Sequence, residues 1–179
     1  MPVNAYSYGM IDGDSASVAE LLALLSVTGR VPLRRDIAVT GSVNQWGDVQ
    51  AIGGVNEKIE GFFDVCRENG LTGRQGVCIP ASNVRHVILR PDVLEAIDGG
   101  RFHIWPVERV DEALELFGGI PAGRLDEEGT FHGRVDLRLR ELLATMQEQR
   151  ATSFEREFPV AAPMSNGPKD PRPTLPGRN

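Results

Sequence analysis

Apolar positions in this chain recur at two spacings, near 3.6 residues and near two, and the changes between them mark out its elements. Residues 5–11 read as a short strand, and Gly13 allows a tight turn after it. Residues 16–28 read as a helix that is apolar almost all round, with Glu20 its one charge, so burial on most sides is expected. Gly29 stands where a helix C-cap belongs. A polar connection containing Pro32 leads to residues 37–43 and 47–52, which alternate as a hairpin pair about a turn at 44–47. Trp46 is expected to be exposed at its tip. Gly53 and Gly54 precede a helix whose stripe is Val55, Ile59, Phe62 and Cys66. A short buried strand at 76–79 stops at Pro80, followed by a turn with short elements over 81–89. Pro91 opens a helix over 91–97. A strand at 102–106 and a helix at 110–117, closed by Gly118 and Gly119, complete the alternation.

Such alternation of strands and helices predicts an α/β layered domain, a mixed sheet with packed helices, over residues 5–119. Residues 120–152 form a linker and an amphipathic helix. In that helix Val135, Leu139, Leu142, Leu143 and Met146 share a face over 133–150, to dock on this domain or on a neighbour. From Ser153 to the end there are six prolines and few core residues, so this tail is expected to be disordered.

Composition narrows the class. A chain of 179 residues suggests one domain with an appendage, and 41% hydrophobic with 25% charged residues is ordinary for a globular protein. A formal net charge of −6 argues against a nucleic-acid footprint, which needs a basic patch. Cys66 and Cys78 have neither metal-ligand nor disulfide-framework spacing, so a reducing compartment is expected and no metal. With no apolar run of membrane length and no signal-peptide pattern, a cytoplasmic location is expected and no membrane partner.

Ser15 admits two readings. Asp14 and Ser15 are both good N-cap types, and either one capping the helix is a complete explanation of the pattern. The same position suits a nucleophile, because the free N–H groups of Ser15 and Ala16 at a helix start can hold an oxyanion. Such a serine needs a base. Lys58 lies in the first turn of the next helix, bordering its buried face. There the dipole and partial burial both favour a neutral amine, although a snorkelling lysine on an ordinary helix fits as well. A nucleophile elbow fails because Ser17 stands where its last glycine belongs, leaving His86, His103 and His132 without that fold. S-x-x-K fails because Val18 follows three places after Ser15, and no phosphate-binding G-x-x-x-x-G-K-[ST] loop occurs.

Three segments together, Gly13-Asp14-Ser15-Ala16, Val39-Thr40-Gly41-Ser42 and Gly53-Gly54-Val55-Asn56-Glu57-Lys58, resemble the Lon protease proteolytic domain. The likeness is to its Lon-like, B-type branch, where Asp rather than Pro precedes the serine, and it runs in one register over about residues 8–119. The resemblance implies a serine endopeptidase that cleaves unfolded polypeptides with a Ser15–Lys58 dyad. Thr40 supports the lysine, and Asp14 and Asp12 either order the turn or pair with it. It also implies a homo-oligomer, a hexameric ring, working with an AAA+ ATPase module. ATP and Mg would sit on that module, so no cofactor is expected in this chain. Family members carry several strands before the serine. This chain begins almost at the serine strand, so it is expected to be the C-terminal part of the domain and weak as a peptidase by itself. The alternative from another class is a catalytically inactive Lon-like assembly module.

Overall fold

The computed structural model describes the backbone over residues 13–157 and side chains over residues 13–150. The strand expected at 5–11 and Asp12 lie outside the described residues, as do residues 158–179 of the Pro-rich tail. The chain runs α1 (Ser17–Gly29), β1 (Ile37–Val39), β2 (Ser42–Val43), β3 (Val49–Gln50), α2 (Val55–Asn69) and β4 (Gly76–Pro80). A 3₁₀ segment (Ala81–His86) follows, then α3 (Pro91–Asp98), β5 (His103–Val107), α4 (Val110–Gly118) and α5 (Phe131–Glu157).

The class is α/β, as the alternation predicts. Strands β1, β4 and β5 form a parallel sheet with β4 in the middle, Ile37 opposite Gly76 and Val77 opposite Ile104. Every residue of β4 is buried, as expected for a central parallel strand covered on both faces. Successive side chains point to opposite faces. Ile37, Cys78 and Val107 therefore join Val18 and Leu22 of α1, Leu114 and Phe117 of α4, and Phe131 and Val135 of α5. Val77 and Ile79 face the other way, into Ile59, Phe63 and Cys66 of α2, Val93 of α3 and Phe102. These are two cores on either side of one sheet. Gly76 holds β4 against β5, since a Cβ there would overlap the His103 carbonyl oxygen.

Several expectations are corrected. Residues 37–43 are not one hairpin strand: β1 pairs with β4, and only β2 pairs antiparallel with β3, so the two kinds of pairing fall in separate sheets. The break comes at Thr40-Gly41, whose backbone turns to bond the start of α1. Gly41 N–H donates to Ser15 O at 2.9 Å, and Gly41 O accepts from Val18 N–H at 3.2 Å. A side chain at Gly41 would crowd Val18 and Val49. Helix α1 is not buried on most sides either. Val18 and Leu22 are enclosed against α4 and β2, but Leu24 is 64% and Val27 79% exposed. Gly29 is not the left-handed cap; Arg30 takes that conformation (φ 52°). Gly29 serves close packing instead, since a Cβ there would come within 2.9 Å of Val135 Cγ2. In α2 the fully buried seat belongs to Phe63, with Phe62 half-buried beside it. Trp46 is 71% exposed at its turn, as expected.

Helix α5 begins earlier and ends later than its apolar pattern suggests. Thr130 caps it, its Oγ1 accepting from Gly133 N–H at 3.1 Å. The chain divides into two compact units at Glu141/Leu142. In the second, the described part is the continuation of α5 to Glu157, past the Ser153 expected to open the tail, with Leu142, Leu143 and Met146 exposed.

Cys66 and Cys78 are both free and buried. Burial raises both thiols, and the Glu112 charge adds to the rise at Cys78, which is pushed up to about 12. A native thiol that holds its proton above the unfolded value of 9.0 makes folding favour the protonated form. The thiols' contribution to stability is therefore expected to be fully present below pH 9 and to be lost as pH rises through 9 toward 12. Urea midpoints across that range check this, and a smaller alkaline loss in Cys78→Ala confirms the source.

Candidate active site

The site is assembled by three short connections. Gly13, at φ +107°, turns the chain into Asp14 and Ser15 ahead of α1. Neither residue caps the helix: the N-cap is Ala16, without a side-chain cap bond. Their side chains are used elsewhere. Asp14 Oδ2 accepts from Ser42 Oγ at 2.5 Å, and Ser17 Oγ accepts from Val43 N–H at 2.9 Å. With the two Gly41 backbone bonds, these stitch the serine turn to residues 41–43.

The lysine arrives from the opposite face of the sheet. Gly54, in the left-handed region at φ 66°, is the N-cap of α2, and its carbonyl accepts the Lys58 N–H at 3.1 Å. The loop before it is pinned by Asn83, only 4% exposed, whose Oδ1 accepts Ile52 N–H and whose Nδ2 donates to Ile52 O, both at 2.9 Å. This side-chain amide does the work of a strand neighbour for one residue. Replacing it with alanine leaves two backbone groups partnerless, at a cost of about 1–3 kcal/mol each where water cannot reach. Asn83→Ala is expected to lower the denaturant midpoint without changing the slope, as chemical unfolding will show.

From these anchors Lys58 Nζ donates to Ser15 Oγ at 2.9 Å and lies 3.2 Å from Thr40 Oγ1, which itself donates to Ser15 O at 3.3 Å. Thr40 is buried, at 7% exposure, at the end of β1. The three side chains border a cavity of about 270 Å3 whose other walls are Ala16, Ala19, Ala38, Val39 and Val77. Among the described residues no carboxylate lines it. Lys58 is exposed rather than half-buried, which corrects the expectation drawn from its place on the helix. Among the described residues the Ser15 and Ala16 N–H groups have no acceptor, whereas Ser17 N–H is taken by Asp14 O and Val18 N–H by Gly41 O. Asp14 orders the turn through Ser42 and makes no ion pair with Lys58; Asp12 lies outside the described residues.

The histidines are elsewhere. His132 pairs with Asp111 at 2.9 Å, His103 bonds Gly73 O, and His86 contacts Arg85. Among the described residues no group of three or more His, Cys, Asp or Glu side chains is placed to hold a metal ion, and no helix is long and apolar enough to cross a membrane. Ser42, Ser17 and Asn83 were missed by sequence reasoning. Ser42 had a signal, its place in the Thr40-Gly41-Ser42 segment. Asn83 had none, because its partner Ile52 is distant in the chain.

Residues 9–117 match the family model of the Lon protease (S16) C-terminal proteolytic domain. The chain belongs to that family. It is 45% identical over 151 residues to a putative Lon protease homolog of Escherichia coli, covering 84% of this chain and 24% of that protein. A putative Lon protease homolog of Haemophilus influenzae is 44% identical over 152 residues, covering 85% of this chain and 25% of that protein. An archaeal Lon protease of Pyrococcus abyssi is 39% identical over 110 residues, covering 62% of this chain and 10% of that protein. The chain thus spans about a quarter or less of the length of these relatives. Membership of this Lon family makes the chain a proteolytic domain of the Lon type.

Proposed function

We propose that this Lon-type domain is a serine endopeptidase acting through a Ser15–Lys58 dyad on unfolded polypeptides. The observation that carries the reading is the approach of Lys58 Nζ to Ser15 Oγ at 2.9 Å, with Thr40 Oγ1 on the same nitrogen. Ser15 Oγ attacks the scissile carbonyl carbon while the neutral Lys58 amine takes its proton. The N–H groups of Ser15 and Ala16 receive the oxyanion, aided by the positive end of α1. Lys58 then gives its proton to the departing amine, leaving an ester on Ser15. Water attacks this ester with Lys58 again as base, and Ser15 recovers its proton from Lys58 as the acid product leaves. Thr40 holds the lysine, and Asp14, through Ser42, holds the serine turn.

By kinship this domain works in a homo-oligomer, a hexameric ring in the cytoplasm, with an AAA+ ATPase module that carries ATP and Mg and feeds it unfolded chains. Nothing in the dyad chemistry needs a cofactor in this chain.

The test is covalent capture. A peptidyl phosphonate should label this protein at Ser15, seen by mass spectrometry of the modified peptide, and label neither Ser15→Ala nor Lys58→Met. Labelling at another residue, or equal labelling of the Lys58 variant, would overturn the dyad.

A further inference from the structure

The residue before the nucleophile carries a charge that opposes the proposed chemistry. A base must be free of its proton, and a carboxylate within a few ångströms of an ammonium favours keeping it. Successive Cα atoms are about 3.8 Å apart, so Asp14 has the reach to approach a lysine that already touches Ser15 Oγ.

The fold gives the Asp14 carboxylate a partner other than Lys58. Its Oδ2 is held by Ser42 Oγ at 2.5 Å. Ser42 is 4% exposed and is fixed in β2 opposite Gln50. Its neighbour Val43 is bonded to Ser17 Oγ. Among the described residues the other titratable groups on the elements around Lys58 are not part of the cavity lining. Glu60 on α2 accepts Arg90 N–H. Asp36, before β1, is paired with Arg34. Glu57 on α2 and Glu20 on α1 are exposed, and Cys78 on β4 is buried in the core shared with α1 and α4. Among the described residues, Asp14 is thus the carboxylate whose release would bring a negative charge to the dyad.

We propose that Ser42 is a positioning residue that parks the Asp14 carboxylate away from Lys58, keeping the amine available as base. This rests on the dyad reading above, and its test does not need turnover. The chain contains two lysines, Lys58 and Lys169. Arginine does not titrate in the range of interest. Lysine labelled with 13C at Cε therefore gives two side-chain signals, with Lys58→Met assigning one of them.

The experiment is a pH titration of the Lys58 signal in the parent, S42A, S42T, D14N and S42A/D14N proteins. In S42A the midpoint should rise by about half to one pH unit, a partial form of the shift a close carboxylate produces. S42T, which keeps the hydroxyl, should stay with the parent. S42A/D14N should coincide with D14N, because no charge is left to release. If S42A fails to fold, S42C, with a much weaker donor of similar size, is read in its place. An unmoved midpoint in S42A, or the same rise in S42A/D14N, would overturn the proposal. If Lys58 shifts as expected but Ser15 escapes phosphonate labelling, the dyad reading falls while the parking role stands.

Discussion

Lys58→Met is expected to reduce Ser15-dependent peptide cleavage by about 10^6-fold, on the scale seen when an activated serine loses its base. The Met side chain keeps most of the lysine's length and apolar stem, so the loss tracks the amine and not packing. Lys58 is exposed, and the α2 side chains that hold the helix in place are Val55, Ile59, Phe63 and Cys66. Thermal midpoints should therefore stay close to the parent. Lys58→Arg provides the sharper contrast. It keeps a positive charge and hydrogen-bond donors beside Ser15 Oγ and Thr40 Oγ1, yet a guanidinium does not give up its proton near neutral pH. If a cation at this position were enough, the arginine form would keep substantial activity. If proton acceptance is the role, it should be as inactive as the methionine form. Steady-state kcat/KM on a fluorogenic peptide, in the assembly in which the domain works, reads both.

Phe63→Ala is expected to destabilise the domain by about 3–5 kcal/mol, the range for removing a buried aromatic side chain. Phe63 is 2% exposed, its ring meets Phe102 edge-on with centroids 5.2 Å apart, and it lies in the core with Ile59, Val77 and Ile79. Against a usual total of about 5–15 kcal/mol, that loss leaves a small margin or none. The functional consequence is specific. Phe63 and Ile59 seat α2 on the sheet, and α2 carries Lys58, so a loosened core should disperse the 2.9 Å contact before the protein unfolds. Chemical denaturation gives the stability loss, and Ser15 labelling well below the denaturation midpoint should already be reduced. Phe62→Ala serves as the comparison: its ring is half-buried at the margin of the same core and should cost distinctly less.

Most of the architecture was legible because apolar spacing is a local property. Helices α2, α3 and α4 and strand β4 lie within a residue or two of where periodicity, Pro91 and the glycines put them. The misreadings share a cause. Residues 37–43 alternate like one strand, but alternation cannot say which neighbour a backbone will bond, and the Ser15 turn competes successfully for Gly41. Helix α1 is apolar all round, yet apolar character does not say how many sides are covered. Gly29 looks like a cap because its contact, Val135, is more than a hundred residues away.

The candidate site divides in the same way. The residue types and their order, Gly13-Asp14-Ser15, Thr40-Gly41-Ser42 and Gly54 through Lys58, stand in the sequence alone, and with them the family, now matched over residues 9–117. Distances do not. That Lys58 Nζ reaches Ser15 Oγ depends on β1 and β4 pairing in parallel, on Asn83 holding Ile52, and on Gly54 taking a left-handed turn. The direction of the Asp14 carboxylate was open in the sequence, which allowed either the turn or the lysine. Only the tertiary structure decided it, by setting the buried Ser42 hydroxyl 2.5 Å from Asp14 Oδ2. Residue types follow from the chain itself. Which polar groups meet is settled by packing, because a hydrogen bond forms only where folding brings donor and acceptor within about 3 Å.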